Sequence, residues 1–133
     1  MKRIIVNGTF DILHRGHLEL LNYAASLGDY LLVCIDSDAL VSFKKGKDRP
    51  INNQWDRMLM LKNLKAVSDV WIFNNDQELE DQIKEYQPHI MVKGSDYEFK
   101  PIVGEEYCPK IEFFQRLDDY STTNTIQHII DRG

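Results

Sequence analysis

The ten residues from Gly8 to His17 combine the residue types that bind phosphate. They read Gly-Thr-Phe-Asp-Ile-Leu-His-Arg-Gly-His. His14 and His17 are three residues apart, which places both imidazoles on one side of a helical turn. Glycines at positions 8 and 16 let the backbone approach a ligand without a Cβ in the way. A helix that begins here adds free N–H groups and a positive dipole end, so the segment predicts a phosphate clamp.

Two other interpretations of this segment are open from the residues alone. Each histidine taken singly is typical of a helix cap or of a solvated surface position. The pair also has the spacing of a partial metal site, with Asp11 as a third ligand. Neither a third histidine nor a well-spaced cysteine supports that metal site. The complete string of ten residues favours the phosphate clamp.

The hydrophobic pattern along the chain alternates between strand-like and helix-like segments. Predicted strands cover Arg3–Val6, Tyr30–Ile35, Val70–Phe73, His89–Val92 and Ile111–Phe114. Predicted helices cover Gly16–Leu27, Trp55–Leu64, a segment capped at Asn75-Asp76 that runs to about Tyr86, and a segment that starts at Ser121. The alternation predicts an α/β fold, a Rossmann-like doubly wound parallel sheet of about five strands in a three-layer αβα sandwich. In such a sheet, ligands bind at the carboxyl ends of the strands, which here predicts a site formed by the residues that come after Val6, Ile35 and Val92.

The composition limits the functional classes. The chain has 133 residues, and we expect residues 1–133 to form one domain with an apolar core. Sixteen Lys+Arg against twenty-one Asp+Glu give a formal charge of −5, which disfavours a broad nucleic-acid interface. Short apolar runs predict neither a membrane span nor a signal peptide. Cys34 and Cys108 predict no disulfide framework, so a reducing cytoplasm is expected. Five aromatic residues are predicted to pack in the core: Trp55, Trp71, Phe73, Phe113 and Phe114.

Charged residues near the predicted strand ends are candidates for phosphate binding. Four cations lie within a six-residue run that starts at Lys44. The run fits either a solvated loop or an arm that covers bound anions, with Lys44 and Lys47 as the first candidates. Lys93 follows the fourth predicted strand and is either a phosphate contact or a surface lysine. Asp11 and Asp96 are acids beside a predicted anion site, so each needs a partner such as a lysine or Mg²⁺.

The first loop resembles the Gly-Thr-Phe-Asp and His-x-Gly-His signature of the cytidylyltransferase-like nucleotidyltransferases. Its glycines, its aspartate and both histidines fall at the family spacing. Arg116, followed five residues later by Ser121-Thr122-Thr123, is similar to the second family signature, although Tyr120 replaces the usual isoleucine before the serine. Arg57 and the segment 92–97 also have family counterparts. The resemblance therefore covers essentially the whole chain.

This resemblance implies a reaction in which a phosphorylated acceptor attacks the α-phosphate of a nucleotide and expels pyrophosphate. The acceptor phosphate is already largely ionised at neutral pH, so neither a general base nor a nucleophilic side chain is required. Catalysis then depends on positive charge, N–H donors and the alignment of two polyanions. The expected cofactor is Mg²⁺, which neutralises the triphosphate and needs few protein ligands.

The resemblance also implies site roles, residue by residue. The expected catalytic residues are His14, His17, Lys44 and Arg116. The expected nucleotide-binding residues are Gly8, Thr9, Phe10, Asp11, His14, Gly16, His17, Lys93, Gly94, Arg116, Ser121, Thr122 and Thr123. The expected acceptor-binding residues are Lys44, Lys47, Arg57 and Asp96, and the weaker candidates for metal ligation are Asp11 and Asp96. Taken alone, Arg57 is also typical of an ion pair, and Ser121 and Thr122 are typical of helix caps.

Two branches of the family are the main alternatives. The segments 49–52, 56–58, 92–97 and 121–124 resemble the adenylyltransferase domain of ADP-heptose synthases, which usually has cysteine in place of Thr9. Glycerol-3-phosphate cytidylyltransferases share the Gly-Thr-Phe-Asp form and the small size. We therefore predict ATP and a sugar 1-phosphate, such as heptose 1-phosphate, as substrates. CTP with glycerol 3-phosphate is the alternative, and a non-catalytic nucleotide-binding module is a distant one. The family also implies a homodimer, with no nucleic-acid or membrane partner.

Overall fold

A computed structural model of the chain describes residues 1–115 and 122–132. Five strands are present in that part of the chain: β1 (Arg3–Gly8), β2 (Tyr30–Asp36), β3 (Asp69–Phe73), β4 (Ile90–Gly94) and β5 (Lys110–Phe114). The α-helices of the same part are α1 (Arg15–Ser26), α2 (Asp38–Lys45), α3 (Gln54–Lys62), α4 (Asp76–Tyr86) and α5 (Thr122–Arg132). Two short 3₁₀ turns, Ser95–Tyr97 and Glu105–Tyr107, separate β4 from β5.

The strands form one parallel sheet in the order β3-β2-β1-β4-β5. β1 pairs with β2 along its whole length, from Arg3 opposite Tyr30 to Gly8 opposite Ile35. The chain fills one side of β1 with β2 and β3 and then crosses to the other side to add β4 and β5. The order therefore reverses between β1 and β4, and a crevice at this switch point is where such sheets bind ligands.

Apolar clusters cover both faces of the sheet. Because side chains alternate along a strand, Ile4 and Val6 of β1 face one cluster and Ile5 faces the other. The first cluster contains residues of α1 and α3, including Leu21 and Leu61, and the second contains residues of α4. The predicted α/β architecture of helices, sheet and helices is confirmed.

Local sequence signals fix most helix starts. Ser37, Asn53 and Asn75 each accept a backbone N–H at the start of α2, α3 and α4, and the cap at Asn75 was predicted. α2 was not predicted as a helix. It buries one apolar residue, Val41, so its short sequence carries little helical periodicity. Its last turn contains Lys44 and Lys45, which suit the negative end of the helix dipole.

The prediction that Trp55 packs in the core is wrong. Trp55 is 64% exposed and Leu59 is 63% exposed. The residues of α3 that are buried are Arg57 and Leu61. Residues four apart share a helix face, so these pairs lie on different faces. Phe73 is buried, and Trp71, Phe113 and Phe114 pack partly buried against the core. In the described part of the chain, no helix has both the length and the apolar character needed to cross a membrane.

Candidate active site

A cavity of about 500 Å³ opens at the carboxyl ends of β1, β2 and β4. Most of the predicted site residues line it: Gly8, Thr9, Phe10, Asp11, His14, Gly16, His17, Lys44, Lys93, Gly94, Asp96 and Thr123. Lys47, which is exposed beyond α2, and Arg57 do not line it. The cavity lies where the predicted sheet was expected to bind its ligand.

His14 and His17 cap the N-terminus of α1 together. The Gly16 N–H donates to His14 Nδ1 at 3.1 Å, and the His14 N–H donates to His17 Nδ1 at 3.2 Å. The two rings stack with their centroids 3.8 Å apart. Because both Nδ1 atoms accept a hydrogen bond, each neutral ring carries its proton on Nε2. The cap therefore fixes the tautomer in which each ring has an Nε2–H donor.

The loop before α1 supports the His17 ring. Phe10 is buried, has a φ of +52°, and packs its ring 5.1 Å from that of His17. A Cβ at Gly8 would lie 2.9 Å from Phe10 Cε2. Glycine at position 8 is therefore needed for the position of Phe10, which in turn holds the imidazole of His17.

Asp11 fastens the first loop to the segment between α2 and α3. Its carboxylate accepts the backbone N–H groups of Ile51 and Asn52, each at 2.8 Å, and lies 3.4 Å from Arg49 Nε. The Asn52 side chain donates to the Asp11 carbonyl at 2.8 Å. Asp11 is 3% exposed, so these protein donors compensate a buried charge. Asp11 was expected to need a partner such as a lysine or Mg²⁺, and its closest partners are instead backbone N–H groups.

Arg57 lies beneath the site and does not face the cavity. Its guanidinium donates to the carbonyl groups of Thr9, Asp36 and Asn52 and to a carboxylate oxygen of Asp38, over distances of 2.9 to 3.0 Å. The side chain is fully buried. Because protein acceptors occupy its donors, the structure gives Arg57 a positioning role and does not support the expectation that it binds the acceptor phosphate.

Lys44 and Lys45 bring positive charge to the cavity from the last turn of α2. Lys44 Nζ lies 3.4 Å from Asp36 Oδ2, at the carboxyl end of β2. Burial, reinforced by the positive charge of Arg49, lowers the pKa of Lys45. Of the three lysines in the cationic run, Lys44 and Lys45 are thus placed to contact a bound anion.

Lys93 is a buried cation at the end of β4. It is 8% exposed, and its Nζ lies 3.3 Å from Asn7 Oδ1 and 4.2 Å from the centre of the Tyr97 ring. Burial lowers the pKa of Lys93 from 10.5 to about 8. The alternative that Lys93 is a surface lysine is therefore excluded.

The second signature is only partly described. Arg116 and Ser121 lie outside the described residues, so their expected roles stay predictions. Thr122 is the first residue of α5, and Thr123 lines the cavity. The N-terminal turn of α5 therefore adjoins the same cavity as the histidine pair, and the N–H groups of such a turn attract phosphate.

Residues 5–128 match the family model described as cytidylyltransferase-like. The chain belongs to the cytidylyltransferase-like family. This membership confirms the resemblance found in the two signatures and supports a nucleotidyltransferase activity. The histidine pair and the cavity therefore lie in a domain of a nucleotidyltransferase family.

The chain is similar to a segment of longer proteins. The bifunctional protein HldE of Aliarcobacter butzleri is 44% identical over 96% of this chain and 27% of its own length. That of Helicobacter hepaticus is 44% identical over 96% of this chain and 26% of its own length. The chain thus spans about a quarter of these relatives. A lipopolysaccharide core biosynthesis protein of Thermoplasma volcanium, known as a crystal structure, superposes with a TM-score of 0.72 and 26% identity, over 89% of this chain and 99% of that one.

Several cavity residues of this cytidylyltransferase-like site were missed from the sequence. Asn7 is the last residue but one of β1, Asp36 ends β2, and Tyr97 closes the turn after β4. Asn7 and Asp36 are each the first polar residue after the apolar run of a strand, and this position could have indicated that they face the ligand site. Tyr97 carried no signal, since its orientation depends on the turn after β4. Lys45 belonged to the predicted cationic run, but Lys44 and Lys47 were the first candidates within that run.

The cytidylyltransferase-like site holds no protein-built metal centre in its described part. Among residues 1–115 and 122–132, no group of three His, Cys, Asp or Glu side chains is placed to hold an ion. Both Asp11 oxygens already accept backbone N–H groups, and Asp36 lies 3.4 Å from Lys44 Nζ, so the carboxylates that line the cavity are not grouped around a common point. These residues do not fit a resident Mg²⁺ site, and Mg²⁺ brought in by a nucleotide stays a prediction.

Proposed function

We propose that this chain transfers the adenylyl group of ATP to a phosphorylated sugar, a sugar 1-phosphate such as heptose 1-phosphate, and releases pyrophosphate. One observation carries the proposal. The stacked His14 and His17 rings line the cavity with both Nδ1 atoms occupied by backbone N–H groups. Two Nε2–H donors at a helix N-terminus suit the developing charge on an α-phosphate.

The proposed reaction is a direct in-line displacement. An oxygen of the acceptor phosphate forms a bond to the α-phosphorus, and the bond from that phosphorus to the bridging oxygen breaks. Pyrophosphate leaves with the electron pair, and no proton needs to be removed because the attacking oxygen is already ionised. The task of the protein is then to position two anions and to stabilise the transferred group.

The charges of the cavity support this task. Lys44 and Lys45 face it from α2, and the N-termini of α1 and α5 adjoin it. Their positive charge offsets the mutual repulsion of two phosphorylated substrates within a protein of net charge −5. Lys44 keeps its proposed contact with phosphate, whereas Lys47, which lies away from the cavity, does not.

The choice of ATP and a sugar phosphate rests on the comparisons and on the motifs. The curated relatives at 44% identity are bifunctional HldE proteins, and the solved relative is named for lipopolysaccharide core biosynthesis. Four segments of this chain resemble the adenylyltransferase domain of ADP-heptose synthases. Thr9 within Gly-Thr-Phe-Asp favours the alternative, CTP with glycerol 3-phosphate.

The test is pyrophosphate release with ATP or CTP, each combined with heptose 1-phosphate or glycerol 3-phosphate. We expect turnover with ATP and heptose 1-phosphate. Turnover confined to CTP and glycerol 3-phosphate would replace both substrates and keep the mechanism. Nucleotide binding without turnover in any of the four mixtures would favour the non-catalytic module.

Three further features belong to this proposal. We propose a homodimer that uses Mg²⁺ bound to the nucleotide and acts in the cytoplasm, with no nucleic-acid or membrane partner. Sedimentation of the purified chain tests the dimer, since a single species at the monomer mass contradicts it. Replacing Mg²⁺ with EDTA in the pyrophosphate assay tests the cation, and undiminished turnover contradicts it.

A further inference from the structure

The crevice between β1 and β4 contains the ammonium group of Lys93, to which the proposed reaction has so far given no role. Lys93 extends from β4 and Asn7 from β1, and their side chains meet at 3.3 Å where the strand order reverses. Asn7 accepts one of the three N–H donors of the ammonium group, and Tyr97 places its ring face 4.2 Å away. Lys93 also lines the cavity.

Within the part of the chain that the structure describes, this ammonium group has no close counter-ion. No ion pair in the described part of the chain includes Lys93. The charged groups around it are Asp36 of β2 and Asp96 of the turn after β4, which favour its protonated form, and Lys44 of α2, which opposes it. Burial outweighs the two carboxylates and lowers the pKa of Lys93 to about 8. A buried charge that destabilises the folded state and faces a cavity indicates a ligand of opposite charge.

The neighbours of Lys93 indicate which ligand this is. Asp96 and Tyr97 line the same cavity as Lys93, and the Tyr97 ring centre lies 4.2 Å from Lys93 Nζ. A carboxylate beside a single cation repels a triphosphate, but it accepts hydrogen bonds from hydroxyl groups. An aromatic ring packs against the apolar face of a sugar ring. Lys93, the Asp96 carboxylate and the Tyr97 ring therefore suit a ligand with one phosphate and several hydroxyl groups. The other nearby carboxylate, that of Asp36, lies 3.4 Å from Lys44 Nζ.

We propose that Lys93, Asp96 and Tyr97 form the acceptor subsite, in which Lys93 Nζ binds the phosphate of the sugar phosphate. The nucleotide then occupies the end formed by the histidine pair and Lys44. The proposal rests on the proposed function, and it moves Lys93 from the nucleotide, where the family resemblance placed it, to the acceptor. It also adds Tyr97, which no sequence motif indicated as a ligand contact.

Lys93→Met tests the proposal because methionine fills a similar volume without charge. We expect its affinity for heptose 1-phosphate and for inorganic phosphate, measured by titration calorimetry at pH 7, to fall at least about tenfold. Its affinity for ATP should change less than about threefold, since no charge-assisted contact to the nucleotide is lost. The matched control is Lys100→Met, because Lys100 is exposed and lies 5.7 Å from the same Tyr97 ring; we expect it to bind all three ligands like the wild type.

Thermal unfolding gives a readout that a purely structural lysine would not produce. The buried charge opposes folding below about pH 8, so Lys93→Met should unfold at a higher temperature than the wild type at pH 7. Between the folded pKa of about 8 and the unfolded value of 10.5 the wild-type lysine loses its proton on folding, so the advantage should shrink as pH rises through that range.

Three outcomes would overturn the acceptor subsite. They are unchanged phosphate and heptose 1-phosphate affinity in Lys93→Met, an equal loss of ATP affinity, and a wild-type chain that binds neither phosphate ligand. Failure of the proposed function has a different signature. In that case the wild type binds inorganic phosphate through Lys93 but does not release pyrophosphate from ATP and heptose 1-phosphate.

Discussion

At the scale of single residues, His17 has a structural role and a proposed catalytic role, and substitution separates the two. Its Nδ1 accepts the His14 N–H and so completes the cap of α1, while its ring lines the cavity. The cap stabilises the fold, whereas the proposed Nε2–H donor stabilises the transition state. The same hydrogen bond that caps the helix also sets the tautomer, so the structural and catalytic interpretations of this histidine are compatible.

The first prediction concerns variants of His17. His17→Ala should lower turnover at least about a hundredfold, the usual effect of removing one transition-state donor. It should also lose about 1 kcal/mol of unfolding free energy with the cap. His17→Asn places an amide oxygen near the position of Nδ1 and lacks Nε2, so it should recover the stability and stay inactive. Steady-state kinetics and urea unfolding measure the two effects.

His128→Ala is the control for these variants, because His128 is exposed on α5. It should match the wild type in both measurements. Near-normal turnover in His17→Ala or in His17→Asn would contradict the role given to the Nε2–H donor.

At the scale of elements, Arg57 joins α3 to the ends of two strands. Its NH1 group donates to the Thr9 carbonyl after β1 and to the Asp36 carbonyl at the end of β2. Asp11 makes the complementary connection from the first loop to the segment before α3. These buried contacts hold the loop of the histidine pair against the sheet, which explains why an arginine and an aspartate accompany the ligand-facing residues.

The second prediction concerns Arg57→Lys. Lysine keeps the charge but lacks the planar set of five donors, so several buried carbonyl groups lose their partner. We expect a loss of about 2 to 3 kcal/mol in unfolding free energy, measured by urea titration. Arg132→Lys, at the exposed end of α5, should have no effect. An Arg57→Lys chain with wild-type stability and a raised KM for the acceptor would restore the phosphate-binding role.

At the scale of the whole molecule, strand order decides where ligands bind. Reversal of the order between β1 and β4 opens the crevice that contains Asn7 and Lys93. The cavity connects this crevice to the N-terminus of α1. A ligand that spans it contacts several elements at once, so its binding should stabilise the fold as a unit.

The third prediction follows from this linkage. ATP at a hundred times its Kd should raise the unfolding free energy by about 2.7 kcal/mol, because it binds the folded chain alone. CTP at the same concentration should raise it less if ATP is the substrate. Calorimetric melting with each nucleotide measures both values. A larger effect of CTP would contradict the choice of nucleotide and agree with the cytidylyltransferase alternative.

The sequence by itself determined the five strands and most of the helices, although not α2, and it predicted a phosphate-binding loop. Strands such as Tyr30–Ile35 are continuous apolar runs, and the caps and the His-x-Gly-His spacing are local signals. Local signals depend on residues a few positions apart, which a sequence shows directly. The predicted fold class, the parallel sheet and the family were accordingly confirmed.

Only the tertiary structure decided how buried charges are used. Asp11 contacts residues 40 and 41 positions away, and Arg57 contacts Thr9 at a separation of 48. Lys93 meets Asn7 at a separation of 86. A charged residue in a sequence looks the same whether it faces solvent, a ligand or a buried carbonyl group. Burial and partners arise from strand order and helix orientation, and these are set by packing over the whole chain.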